Sequence, residues 1–252
     1  AKLPSRPYII GSGPAGLFCA YMLAKEGFRP VLIEQGEPVE DRLRSVQDFW
    51  SGKASLNELS NIQFGEGGAG TFSDGKLFTH NRDRSGRIRL ILETFVSYGA
   101  DENILYEAKP HVGTDILCQV VKSMREEIIR NDGEVRFSTR FDSFSASDGR
   151  ITSISLNDVK NGRSYDEECG LLILATGHSS RETFRTLKDL GIEMEPKTFA
   201  IGVRTEHLQD MINQAQYGPD YKEKYPALPP SDYKIAVKTS SGKSVYSFCM
   251  CP

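Results

Sequence analysis

The first 34 residues alternate between short apolar runs and a helical stripe. Pro7 to Ile10 is continuously apolar and breaks into Gly-Ser-Gly-Pro-Ala-Gly, the pattern of a buried strand followed by a turn. Leu17, Ala20, Tyr21 and Ala24 then recur at helical spacing, with Pro14 at the first helical position and Gly27 as a stop. Pro30 to Glu34 is a second buried strand, which completes a β-α-β unit. Glu37 to Trp50 is polar and helical, and Asn61 to Gly75 is a glycine-rich loop. Ile88 to Tyr98 and Thr114 to Arg130 have amphipathic spacing, the latter beginning at Gly113-Thr114-Asp115 and stopped by Asp132-Gly133.

The period then shortens to two. Val135-Phe137, Phe141-Phe144 and Ile151-Ile154-Leu156, with Asp148-Gly149 before the last, predict a β-meander. Cys169 to Ala175 is an apolar strand that opens into Thr176-Gly177. Beyond it the pattern gives a helix, strands near Phe199-Thr205 and Tyr233-Val237, and a long loop from Tyr217 to Pro230. This change of texture places a domain boundary near residue 178, dividing 1–177 from 178–252.

Gly11-x-Gly13-x-x-Gly16 gains specificity from its setting, with a strand before it, a helix after it and an acidic residue closing the next strand. Gly11 permits the tight turn, Gly13 lets the backbone approach a pyrophosphate, and Gly16 lets helix and strand pack closely. Pro14 and Ala15 open the helix whose free N–H groups and positive end favour an anion. Glu34 lies eighteen residues past Gly16 and is placed to accept hydrogen bonds from an adenosine ribose, with Gln35 beside it. Gly65-x-Gly67-x-x-Gly70 repeats the spacing without a strand before it or a helix after it. It reads as a loop folded around part of the same cofactor.

Composition narrows the classes. Of 252 residues 38% are hydrophobic and 26% charged, and the net charge of -3 does not point to nucleic acid or an anionic membrane. The five cysteines are odd in number and form no C-x-x-C, which argues for a reducing compartment. No apolar run reaches membrane-spanning length, and the six residues before the first strand are too few for a targeting segment. The four histidines lack ligand spacing, so no metal site is expected. No G-x-S-x-G elbow supports a serine hydrolase.

Five stretches carry a family resemblance: Phe64-Gly-Glu-Gly-Gly-Ala-Gly-Thr-Phe-Ser-Asp-Gly-Lys76, Lys109-Pro-His-Val-Gly-Thr-Asp115, Ala175-Thr-Gly-His-Ser-Ser-Arg181, Ala200-Ile-Gly-Val-Arg-Thr-Glu-His207 and Ser247-Phe-Cys-Met-Cys-Pro252. Through them the whole chain resembles a group of mostly uncharacterised FAD-dependent dehydrogenases of bacteria and plastids. The resemblance implies a glutathione-reductase-like α/β fold: a Rossmann-like FAD-binding domain with a β-meander, interrupted by a second α+β substrate or cap domain. It implies FAD as cofactor, a small-molecule substrate, NAD(P)H as a candidate electron donor, and the bacterial cytoplasm or plastid stroma as location. Members of that group continue past Cys-Met-Cys-Pro with a last FAD-binding segment and usually carry an extra N-terminal domain. On that pattern the chain is a central piece and binds FAD less tightly than the complete protein.

The same resemblance adds Gly67, Gly68, Ala69, Gly70 and Lys76 to the cofactor residues, together with Ala175, Thr176 and Gly177 of the A-T-G turn. It suggests that Thr139-Arg140-Phe141 holds adenine by its main chain. Arg42 and Arg44 either reach the pyrophosphate or form a solvated helix face. No catalytic residue is assigned. Cys249 and Cys251, which share one face if their segment is a strand, and His178, which follows the A-T-G turn, are the candidates. The leading function is an FAD-dependent oxidoreductase. The alternatives are a flavin monooxygenase, weakened by Thr176 where related hydroxylases carry Asp, and a non-catalytic FAD-binding redox sensor.

Overall fold

The computed structural model describes residues 3, 5–72, 75, 77, 83–107 and 110–247. They form two compact units, 1–194 and 195–252. Helix Arg181–Asp189, which the change of sequence texture assigns to the second domain, lies within the first unit.

The first unit opens as the pattern predicts. Strand β1 (Tyr8–Ile10) leads through the glycine turn to helix α1 (Pro14–Lys25) and strand β2 (Val31–Ile33). Helix α2 (Val39–Trp50) follows, then a loop ending in the 3-10 turn Ala69–Phe72, helix α3 (Arg87–Ser97) and helix α4 (Thr114–Arg130). Next come β3 (Glu134–Arg136), the antiparallel strands β4 (Thr139–Ser147), β5 (Arg150–Asp158) and β6 (Arg163–Glu168), strand β7 (Leu172–Leu174) and helix α5 (Arg181–Asp189).

The central sheet is parallel, in the order β3-β2-β1-β7, with Ile9 opposite both Leu32 and Ile173. Both faces of β1 and β2 are covered, which is why these strands are apolar throughout. Ile9 and Leu32 face α1 and α4 in a core with Leu17, Ala20, Val120, Met124 and Ile128. Tyr8, Ile10, Val31 and Ile33 face the meander, packing on Phe141, Ile154 and Leu156. The layers are therefore helices, parallel sheet and meander.

Two expectations are corrected here. Val135 does not begin the meander; β3 pairs in parallel with β2, with Val135 opposite Leu32, and extends the central sheet. The third meander strand is the largely polar β6, antiparallel to β5. Between β4 and β5, Asp148 and Gly149 both take positive φ, 51° and 71°, as a two-residue type I′ hairpin requires.

The second unit contains α6 (Gln209–Tyr217), the single turn α7 (Tyr221–Lys224) and the hairpin of β8 (Ala236–Lys238) with β9 (Ser244–Tyr246). Its polar centre is Asn213, which donates to Tyr221 at 3.0 Å and accepts from the Ser231 N–H and hydroxyl, each at 2.9 Å. The strand expected at Phe199-Thr205 is not formed. Phe199, Ile201 and Val203 stay 83, 88 and 90% exposed, and an alternating pattern without a partner makes no ladder. The loop expected over Tyr217–Pro230 contains the turn α7.

Candidate functional site: a dinucleotide cleft

At the C-terminal ends of β1, β2 and β7 lies a cleft of about 870 Å³, the position where open parallel sheets hold ligands. Its walls come from the glycine turn, Glu34 and Gln35, the loop around Gly65, the start of β4, and the stretch from Ala175 into α5.

The three fingerprint glycines differ in what the fold requires of them. Gly11 has φ +98°, and a Cβ there would lie 2.5 Å from the Ala175 carbonyl oxygen. A Cβ on Gly16 would lie 1.8 Å from the Gly11 carbonyl oxygen, so α1 reaches the turn only with glycine at its third position. Gly13 differs from both. Its φ of -65° suits any residue, and the nearest atom to a Cβ there is Gly68 Cα at 3.9 Å. The protein itself has no steric need for glycine at 13. Gly13 is also the N-cap of α1 and has no side chain to satisfy the first N–H groups, which suits an anion at that end. Pro14 and Ala15 line the cleft, whereas Gly16 serves packing behind it.

The second glycine loop docks onto the first. The Gly67 N–H donates to the Ser12 carbonyl at 2.9 Å, and Gly68, at φ +66°, stacks on Gly13 so closely that a Cβ would meet its Cα at 3.1 Å. Gly68 and Ala69 line the cleft; Gly67 and Gly70 do not. Lys76, Cys249 and Cys251 lie outside the described residues.

Glu34 is 6% exposed and built into the turn. Its Oε2 accepts from the Ser12 N–H at 2.9 Å and the Ser12 hydroxyl at 2.7 Å, and its Oε1 accepts from the Gly36 N–H at 2.8 Å. The Thr139 N–H donates to the Glu34 carbonyl at 3.0 Å, which sets the start of β4 beside this carboxylate. Thr139, Arg140 and Phe141 line the cleft, and Phe141 also packs in the core against the sheet. Across the cleft stand Ala175, Thr176, Gly177 and His178, the last 3.4 Å from the Ser179 hydroxyl, which also accepts from Gln63.

Arg42 stands elsewhere than either sequence reading placed it. It is 0% exposed and absent from the cleft wall. Its Nε donates to the Asn61 carbonyl at 2.8 Å and its Nη1 to the Glu66 carbonyl at 2.6 Å, with the guanidinium 4.6 Å from the centre of the Phe72 ring. Arg42 thus holds the second glycine loop from behind. Burial lowers its pKa to about 10, so it stays charged at neutral pH. Arg44 is on the exposed face and pairs with Asp41.

The sequence reading missed Glu66, whose role depends on a helix 59 residues away. Its Oε2 accepts from the Val39 N–H at the start of α2 and from Arg125 of α4, both at 2.7 Å. Burial pushes this carboxyl up to about 7 against the opposing pull of Arg125. The folded protein therefore holds the proton that the unfolded chain releases near 4.5. This contribution to stability is complete below pH 4.5 and lost as pH rises through about 7. The expected result is that wild type loses stability relative to Glu66→Gln across that window, at up to about 1.4 kcal/mol per pH unit. Urea unfolding of both proteins at pH 5, 6, 7 and 8 checks it; parallel curves would remove Glu66 as the source.

Fold and cleft together define a Rossmann-type dinucleotide-binding protein. Comparison with known proteins adds two family matches. Residues 9–47 match the NAD(P)-binding Rossmann-like domain, and residues 198–252 match the FAD-dependent protein, C-terminal domain-like family. Each match covers less than half of the chain, and the parallel sheet with its glycine turn is that of a Rossmann-like domain. It is 45% identical over all 252 residues to an uncharacterised protein of Clostridium beijerinckii and spans 45% of that protein's length. Among solved structures it is similar to Thermovibrio ammonificans THI4, with 16% identity, a TM-score of 0.49, and coverage of 75% of this chain and 64% of the other. It is also similar to the glycerol-3-phosphate dehydrogenase of Bacillus halodurans complexed with FAD, with 12% identity, a TM-score of 0.46, and coverage of 72% and 36%. Among the described residues no helix is long and apolar enough to cross a membrane, and no cluster of His, Cys, Asp and Glu is placed to hold a metal.

Proposed function

We propose that this chain holds the adenosine diphosphate half of FAD in a dehydrogenase or reductase acting on a small molecule, with NAD(P)H as a candidate electron donor. The observation that carries this reading is Gly13, a glycine with ordinary dihedrals and open space where its side chain would be, at the uncapped start of α1. The turn around Gly11 and Gly13 would take the pyrophosphate, Glu34 a ribose hydroxyl, and the main chain of Thr139-Arg140-Phe141 the adenine. Gly68, Ala69 and the Ala175-Thr176-Gly177 turn would close the cleft around them. FAD supplies the two-electron chemistry, and the protein supplies binding and orientation.

The test is the visible spectrum of the purified protein and its response to anaerobic NADH or NADPH. Flavin absorbance that bleaches with either donor supports the reading. A protein without flavin that takes up none from solution would overturn it. Retained flavin that neither donor reduces would remove NAD(P)H from the proposal.

Glu34 carries a separate prediction. Glu34→Ala removes a charge-assisted hydrogen bond to the ribose, costing on the order of 1.5 to 3 kcal/mol. FAD binding should weaken by roughly tenfold to a hundredfold. Titration by flavin fluorescence measures this, and an unchanged dissociation constant would show that Glu34 serves the turn alone.

A further inference from the structure

The glycine fingerprint leaves its second position open, and here that position is Ser12, 0% exposed. Its three polar groups are all engaged. The N–H and the hydroxyl both donate to Glu34 Oε2, at 2.9 and 2.7 Å, and the carbonyl accepts from the Gly67 N–H at 2.9 Å. Ser12 therefore ties together the first glycine turn, the acidic residue of β2 and the second glycine loop. A residue chosen only for small size would leave the hydroxyl unused.

The acceptor count of Glu34 gives this a consequence. A carboxylate offers about four lone-pair sites, two on each oxygen. Ser12 occupies two on Oε2, and the Gly36 N–H occupies one on Oε1 at 2.8 Å. One site remains, on Oε1. We infer that Ser12 is a positioning residue for the dinucleotide: it clamps Glu34 by Oε2, so that the carboxylate takes a single ribose hydroxyl, at Oε1. This rests on the reading that Glu34 holds the ribose and adds which oxygen does so, how many hydroxyls it takes and what orients it. Without the Ser12 hydroxyl, Oε2 loses one of its two donors, the carboxylate turns more freely, and part of the ordering must occur on binding.

The experiment is a double-mutant cycle on flavin-free protein, reading the dissociation constants of FAD and ADP for wild type, Ser12→Ala, Glu34→Ala and the double variant. Ser12→Ala should weaken both ligands about tenfold in the wild-type background and less than about twofold when Glu34 is already alanine. An equal penalty in both backgrounds would show that Ser12 acts through the fold alone and would overturn the inference, as would no penalty in either. If Glu34→Ala leaves both constants unchanged, the ribose reading itself fails and the inference falls with it, a result distinct from the first two. A second arm needs no variant: 2′-deoxy-ADP and 3′-deoxy-ADP are titrated against wild type. One analogue should lose about tenfold and the other bind nearly as ADP does. Equal losses would overturn the single-hydroxyl geometry, and no loss with either would remove Glu34 from the ribose.

Discussion

Gly13→Val protein should fold normally and purify without flavin. The backbone at Gly13 already has dihedrals that valine adopts, and the nearest heavy atom to the new Cβ is 3.9 Å away. The protein therefore has little steric objection to the substitution. The methyl groups would instead enter the cleft at the start of α1, where the proposed function puts the pyrophosphate against the backbone. A loss of at least about a hundredfold in FAD affinity, about 2.8 kcal/mol, is expected. Flavin content and the thermal midpoint are to be measured together, because Gly16→Val provides the contrast. At Gly16 a Cβ would lie 1.8 Å from the Gly11 carbonyl oxygen, so that variant should fail by misfolding. Normal flavin content in folded Gly13→Val protein would remove this turn from the cofactor site.

The second large effect is expected at Arg42, on stability first. Arg42→Ala leaves the Asn61 and Glu66 carbonyls without the charged donor that holds them at 2.8 and 2.6 Å, and it removes the cation beneath the Phe72 ring. Each charge-assisted bond is worth about 1.5 to 3 kcal/mol. Against this, the substitution relieves a guanidinium whose Nη2 is buried without a hydrogen-bond partner. A net loss of about 3 kcal/mol follows, a drop of about 10 °C in thermal midpoint for a protein of this size. Arg42→Lys should recover little, because a single ammonium group cannot reproduce the planar fork that spans both carbonyls. Differential scanning calorimetry of the three proteins decides it. A change under about 0.5 kcal/mol for Arg42→Ala would mean that the glycine loop does not depend on this anchor.

The two residues show how far local pattern extends. The place of Gly13 in a strand-turn-helix unit was legible because it depends on neighbours in sequence: a strand before it, a helix after it and a fixed glycine spacing. Arg42 was not. As one charged residue on a polar helix it is indistinguishable from Arg44, yet Arg44 is exposed and paired with Asp41 while Arg42 is wholly buried. The difference comes from the loop that folds over that side of α2, which the helical period of the sequence does not record. Glu66 follows the same rule, since its partners are the start of α2 and Arg125 of α4.

The sequence by itself determined the β-α-β unit, the apolar strand that lies beside β1, the helices over Thr114–Arg130 and Arg87–Ser97 to within a residue or two, and the Asp148-Gly149 hairpin. Each rests on a periodicity or a turn preference confined to a short window. The tertiary structure alone decided that β3 extends the parallel sheet instead of the meander, because three residues of extended chain fit either partner and only long-range pairing chooses. It also decided that the glycines at 67 and 68 meet the turn at 12 and 13, and that Ser12 holds Glu34. Contacts between segments tens of residues apart leave no period in the chain, and burial, which sets both the ionisation of Glu66 and the role of Arg42, exists only once the layers have closed.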